Sequence, residues 1–198
     1  MSLAVPHVKT EVRAHSWQRD EDDWYIENRW CSERLFVEER FDGEILDPCC
    51  GSGRIVKAAR AAGFIASGSD IKPRGYGGGG VDFRSITRAV NVCSNPPFDV
   101  IEEFARHACT IAERKVAIIF PTRRLNAAGV WLQQLPLYRT WFLTPRPSMP
   151  PGRVALEYER NGKEPRGGKQ DFAWLVFLRG FEGRAETRWL HRDKEKQR

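Results

Sequence analysis

Three short stretches of the chain hold residue types that could do chemistry, and they follow one another at regular intervals. The first is Asp47-Pro48-Cys49-Cys50-Gly51-Ser52-Gly53. Two glycines at a spacing of two let the main chain approach a ligand closely, where the first N–H groups of a helix would meet it. The run is neither a GxGxxG fingerprint nor a phosphate loop, because it lacks the third glycine and the Lys-Ser/Thr ending. A tight strand-to-helix turn would need the same glycines. The second is Asp70, 19 positions beyond Gly51. At that spacing a carboxylate can accept from both hydroxyls of an adenosyl ribose, although a lone Asp before a loop also serves as a turn or cap residue. The third is Asn95-Pro96-Pro97-Phe98. Two prolines can neither continue a strand ladder nor open a helix smoothly, so they set an extended turn with free carbonyls. The Asn95 amide oxygen and the Pro96 carbonyl would accept the two N–H bonds of a planar amine, and Phe98 would stack its ring. A rigid structural turn over a buried Phe uses the same residues.

The elements that must position these motifs are legible as alternating strands and helices. Glu44–Pro48 reads as a short strand ending in an acid. Ser52–Ala62 has helical spacing with Ile55, Ala59 and Ala62 on one face, and Gly63 falls at a left-handed cap. Phe64–Ile71 is a second strand, followed by a glycine-rich run (Gly75, Gly77–Gly80) expected to be a mobile lid or loose loop. Val90–Cys93 is a third strand. Asp99-Val100-Ile101-Glu102 reads as a capping box before a helix with Ile101, Phe104, Ala105, Ala108, Ile111 and Ala112 on its apolar face. Val116–Phe120 is a continuous apolar strand, and a short helix is expected up to Gln134. Tyr138–Leu143 and Asp171–Leu178 read as strands, and Arg153–Tyr158 alternates like one. The pattern predicts an α/β fold: a doubly wound, mostly parallel sheet with an antiparallel edge strand.

A length of 198 residues with 41% hydrophobic composition suits one domain with one core. Mean hydropathy is −0.53, and the longest apolar run, Phe172–Leu178, is far too short to span a membrane. The five cysteines form no CxxC pair and the four histidines are scattered, which predicts reduced thiols in a cytoplasmic protein with no structural metal. The charge of +6 permits a polyanionic partner without requiring one. Residues 1–23 are expected to be mobile, 24–183 to form the domain, and 184–198 to be a basic, fraying tail. Within the domain, residues 145–170 carry six basic against three acidic side chains.

The order and spacing of the three motifs resemble class I S-adenosylmethionine-dependent methyltransferases, and among them the amino-methyltransferases of the DNA adenine-N6 group. The resemblance implies a Rossmann-like fold and S-adenosylmethionine as cofactor. It implies that Asp47 lies near the methionine amino group, with Pro48, Cys49, Gly51 and Gly53 in the loop that approaches the ligand. Asp70 would bind the ribose, Ile71 would lie beside the adenine, Asp82 would accept from its amino group, and Phe83 would flank it. Asn95, Pro96, Pro97 and Phe98 would hold and stack the target amine. Tyr25 falls where the family places an aromatic segment over the cofactor. The run Arg146–Gly152 (RPSMPPG) resembles compact, phage-borne members.

Members acting on DNA carry a sizeable recognition domain, for which this chain has no room. Arg146, Arg153, Lys163, Arg166 and Lys169 are therefore the expected nucleic-acid contacts, with DNA as the expected partner and a recognition subunit or a second copy as further options. Three alternatives stay open. The same pocket could act on an RNA base amine or on a protein glutamine amide. The fold could also serve as an inactive nucleic-acid-binding subunit.

Overall fold

The structure, a computed structural model, describes residues 17–193 and residue 195. Eight strands form one sheet in the order β3-β2-β1-β4-β5-β7-β6-β8. They are β1 (Ile45–Asp47), β2 (Ala66–Asp70), β3 (Gly78–Gly79), β4 (Ala89–Ser94), β5 (Ala112–Pro121), β6 (Leu137–Thr144), β7 (Phe172–Leu178) and β8 (Glu186–His191). Among the described residues five α-helices accompany them: α1 (Arg29–Glu38), α2 (Arg54–Ala61), α3 (Ile101–Ile111), α4 (Leu125–Leu132) and α5 (Gly152–Arg160). The mostly parallel α/β sheet is as expected. Its antiparallel strand is β7, which lies inside the sheet between β5 and β6, while the edge strand β8 runs parallel to β6. Val116–Phe120 and Ala173–Phe177 are fully buried. Their unbroken apolar runs reflect a sheet covered on both faces.

Chain direction explains where ligands can bind. From β1 the chain steps to β2 and β3, then returns across the sheet to β4 and β5. Right-handed crossovers in opposite directions put α2 and α3 on opposite faces and leave a crevice between the ends of β1 and β4. Asp47, Asp70 and Ser94 end their strands at this edge. The antiparallel register sets Phe172 opposite Pro121, so β7 begins at the same edge where β5 and β6 end. The segment after Thr144 therefore leaves the sheet beside the Asn95 turn.

Several elements depart from the sequence reading. The reading has no counterpart for α1, because its buried face mixes Cys31, Leu35 and Phe36 with Ser32 and Arg34. Arg153–Tyr158 lies in α5, not in a strand; Gly152 and Ala155 are its buried residues, and the alternation is incidental in a run of good helix formers. The expected capping box does not form. Val100 precedes α3, and the Asp99 carboxylate pairs with Arg19 and Arg124. The glycine-rich run is ordered: Gly78 and Gly79 pair with Ser69 and Asp70. The expected fraying tail contributes β8, whose Leu190 is fully buried and whose charged positions suit a sheet edge. Of the segment expected to be mobile, residues 1–16 lie outside the described residues. Asp20 is buried and accepts the N–H groups of Asp22 (3.0 Å) and Trp24 (3.4 Å), so its neighbourhood is folded. Lys194, Lys196 and Arg198 also lie outside the described residues.

Glu39, just past α1, ties the first helix to the far half of the sheet. Its buried carboxylate accepts Lys115 Nζ at 2.6 Å, Arg139 Nη1 at 2.7 Å and Trp141 Nε1 at 2.9 Å. Burial pushes its pKa up, but the hydrogen bonds and positive charge outweigh burial and hold it below the usual carboxylate range. Removing one partner of such a buried cluster typically costs about 3–5 kcal/mol. Glu39→Ala is expected to lose stability of that order at neutral pH in urea titrations. A depressed carboxylate pKa stabilises above its unfolded value and stops doing so on acidification. The gap between wild type and variant should therefore narrow as pH falls through the carboxylate range.

Candidate active site

Two adjoining cavities open at the carboxyl edge of the sheet. The first is lined by Asp47, Cys49, Gly51, Asp70, Ile71, Arg74, Asn95 and Pro97, with Trp24, Tyr25 and Glu27 from the segment before α1. Asp47 ends β1 and is 1% exposed. It accepts Ser94 Oγ at 2.7 Å and the Cys49 N–H at 3.2 Å. Among the described residues it has no ion-pair partner. Burial, reinforced by the charges of Glu27 and Asp70, pushes its carboxyl up to about 8, against the two hydrogen bonds. Asp70 ends β2 and accepts the N–H groups of Gly51 and Lys72, each at 2.9 Å. The glycines are required where they stand. At Gly51, with φ of +50°, a Cβ would come within 2.8 Å of the Trp24 indole nitrogen; at Gly53, with φ of +77°, it would clash with the Tyr76 ring.

A short strap roofs this cleft. Ile26 N–H donates to the Pro150 carbonyl at 3.1 Å, and Gly152 N–H to the Trp24 carbonyl at 2.8 Å. Asn28 fastens the far end, its Oδ1 accepting from Ser148 N–H at 2.6 Å and its Nδ2 donating to the Pro165 carbonyl at 3.1 Å. Asn95 Nδ2 donates to the Tyr25 carbonyl at 2.9 Å and to Glu27 Oε2 at 3.1 Å. Both amide protons are thereby used, and no described residue donates to Asn95 Oδ1. The enclosed cleft measures about 120 Å³, below the roughly 300 Å³ at which small-molecule pockets begin. The Trp24 indole, under the Arg74 guanidinium at 4.1 Å, takes up part of it.

The second cavity, about 300 Å³, has walls of Tyr25, Phe98, Phe172 and Met149, with Arg123 and Lys169 at its lining. The Tyr25 and Phe98 rings lie 7° from parallel with centroids 6.1 Å apart. The Phe172 ring is tilted against Phe98 with centroids 5.8 Å apart. Tyr25 borders both cavities, and the Asn95–Phe98 turn runs from one to the other. An acceptor thus faces a charged cleft on one side of an aromatic wall, and a flat apolar pocket lies on the other.

The expected site residues are gathered unevenly. Tyr25, Asp47, Cys49, Gly51, Asp70, Ile71, Asn95 and Pro97 line the first cleft, and Phe98 the second. Pro48 and Pro96 are buried and line neither cavity, each next to lining residues in the chain. Asp82 and Phe83 do not join the cleft. Asp82 accepts from Arg84 N–H at 2.9 Å and caps a 3-10 turn, while Phe83 packs against Phe104 and His107. Of the basic candidates only Lys169 lines the second cavity. Arg146 is bound to Asp171 at 2.7 and 3.1 Å, Lys163 and Arg166 line a separate depression, and Arg153 is exposed on α5. Sequence reasoning places Trp24 beside Tyr25 in the aromatic segment without giving it a role, and it missed Glu27, Arg123 and Phe172, which join the site only through tertiary structure. Among the described residues no group of three or more His, Cys, Asp or Glu is arranged to hold a metal, and no helix is long and apolar enough to cross a membrane.

No protein-family model matches the chain, and no curated protein matches it in sequence. Solved structures do match in fold. A protein of Pyrococcus horikoshii assigned as an RNA methyltransferase superposes with a TM-score of 0.52 at 14% identity, over 78% of this chain and 82% of that one. A Lactococcus lactis protein assigned as a hemolysin gives 0.52 at 13%, over 84% and 93%. A Thermoplasma acidophilum protein gives 0.51 at 14%, over 77% and 85%. This chain has the class I methyltransferase fold. In that fold the crevice between β1 and β4 is where the topology opens a ligand site; the first cavity lies there, and the second lies beside it, lined by Phe98, Arg123 and Phe172 from the segments after β4 and β5 and the start of β7.

The charge state of Asp47 has a measurable consequence. An acid whose pKa is raised by folding stabilises the fold when protonated, so this contribution is present near pH 4 and lost as pH rises through about 8. Asp47→Asn should leave the melting temperature of the ligand-free protein unchanged near pH 4 and raise it near pH 8. A variant that melts no higher than wild type at pH 8 would show that the buried carboxyl is not strained by its charge.

Proposed function

We propose that this chain is an S-adenosylmethionine-dependent methyltransferase acting on an exocyclic amine, adenine N6 in DNA. The observation that carries the reading is Asn95, whose amide protons are both committed while no described residue donates to its oxygen, at the head of the turn that leads from the first cavity to the second. The first cleft fits the cofactor in its chemistry. A buried carboxylate without a cation suits an ammonium group, and Asp70 beside Gly51 suits a ribose. Trp24 and Arg74 must give way for the whole molecule to enter.

S-adenosylmethionine supplies, when bound, a methyl group already activated by the positive charge on its sulfur. The chain's task is then alignment. Asp47 would hold the ammonium end and Asp70 the ribose hydroxyls. In the second cavity Phe98 would stack the base, with Tyr25 and Phe172 closing the apolar walls. Asn95 Oδ1 and the Pro96 carbonyl would accept the two N–H bonds of the amine. That pairing draws the nitrogen lone pair out of conjugation and stabilises the positive charge that builds on nitrogen. The proton becomes acidic once the N–C bond forms and leaves to solvent, so no strong base is required. An adenine in duplex DNA would have to leave its stack, at a cost of a few kcal/mol offset by stacking on Phe98. Arg123 and Lys169, at the second cavity, would meet the flanking phosphates.

Transfer of labelled methyl from S-adenosylmethionine to duplex DNA, single-stranded DNA, RNA and protein, followed by nucleoside analysis, tests the reading. Label in N6-methyladenine of DNA is expected; label confined to RNA or to glutamine would replace the substrate, and none at all would leave a binding module. Asn95→Ala should lower transfer by about 100- to 1,000-fold, the usual effect of losing a charge-stabilising contact, while cofactor affinity by calorimetry stays within a few-fold.

A further inference from the structure

We infer that Glu27 is a positioning residue for this reaction: it accepts a hydrogen bond from the Asn95 side chain and so fixes the direction of Asn95 Oδ1. The inference rests on the methyl-transfer reading above. The Asn95 amide faces two oxygens, the Tyr25 carbonyl at 2.9 Å and Glu27 Oε2 at 3.1 Å. The Tyr25 carbonyl can only accept, so Nδ2 must face it and Oδ1 must point the other way, and Glu27 Oε2 receives the second N–H of the same Nδ2. Two anchors define the plane of the amide. One anchor, the Tyr25 carbonyl, would leave it free to swing about χ2, where Asn torsions are broad.

Glu27 is itself held from three sides. It is 3% exposed. Its Oε1 accepts Ser32 Oγ at 3.1 Å, from the first turn of α1. Its main-chain carbonyl accepts Arg54 Nη1 at 2.5 Å, from the start of α2. On the strap, its neighbour Ile26 is bonded to Pro150. The carboxylate is therefore held by α1 and the main chain beneath it by α2 and the strap. Glu27 lies 68 residues before Asn95, and no motif links them, which is why the pair emerges only from the folded chain.

The test compares Glu27→Ala with Glu27→Gln in the full chain. Gln keeps the shape, its Oε1 can still accept from Asn95, and its Nε2 can donate to Ser32 Oγ. Glu27→Ala should lower kcat about 100-fold with the cofactor KM changed by less than about threefold, and Glu27→Gln should recover to within about tenfold of wild type. The Asn95 side-chain amide protons, followed by ¹⁵N NMR, should exchange slowly with solvent in wild type and in Glu27→Gln, and rapidly in Glu27→Ala. Unchanged kcat in Glu27→Ala overturns the inference. So does a Glu27→Gln variant that keeps slow exchange yet falls as far as Ala, or rapid exchange of Asn95 in the wild type. If Glu27→Ala does not fold, the Gln variant and the wild-type exchange rate still decide. If wild type methylates no amine, the functional reading fails, while the exchange data report separately on whether Glu27 holds Asn95.

Discussion

The antiparallel seam between Trp24–Asn28 and Ser148–Gly152 joins the front of the chain to the loop after β6, across the mouth of the crevice. Ile26 and Gly152 supply its main-chain hydrogen bonds, and Asn28 closes it with side-chain bonds to Ser148 and Pro165. The seam carries Tyr25, the wall shared by the two cavities, and it brings the Tyr25 carbonyl and Glu27 against Asn95. Gly152 has to be glycine because the Trp24 ring occupies the space a Cβ would need. Without this seam the Asn95 turn would still leave β4, but nothing would set the direction of its amide or separate the charged cleft from the aromatic one.

Electrostatically the two cavities are opposites. The first contains Asp47 and Glu27, both buried and both with pKa values pushed up chiefly by desolvation, and Arg54 is the cation that acts on Glu27. The neighbouring thiols of Cys49 and Cys93 are raised far above their ordinary range, first by burial and then by these carboxylates. A thiol raised in this way is a poor nucleophile. The second cavity is apolar at its walls with Arg123, Arg124 and Lys169 among its lining.

The half of the fold that holds the first cleft was legible because its local signals agree with its tertiary roles. In β1, α2, β2, β4 and α3, strand ends, glycine turns and apolar spacing all point the same way, and the residues read as the apolar face of α3, Ile101 to Ile111, are the buried ones. The illegible parts are those where polar residues are buried by pairing. Ser32 and Arg34 face inward on α1 because Glu27, Glu38 and the His191 carbonyl receive them. Asp82 was expected at the cofactor, but Arg84 holds its carboxylate at a turn, and Phe83 found a better-packed place against Phe104. Asp99 has the right neighbours for a helix cap, but two arginines compete for it and win. At Asp99 contacts distant in sequence outweigh a local preference worth about 1 kcal/mol, whereas at Asp82 a neighbour two residues on already takes the carboxylate.

The position of β7 bears on how the polypeptide is made. Synthesis delivers β5 and β6 before the strand that lies between them, since β7 ends 57 residues after β5. At roughly 5–20 residues per second, the apolar edge of β5 waits about 3 to 11 seconds for its neighbour. During that interval Val116–Phe120 is an open template for any other extended chain, and β6 has no sheet to join. Emergence of Phe172–Leu178 from the ribosome is therefore what lets β6 join the sheet, and β8 can pair with β6 only afterwards.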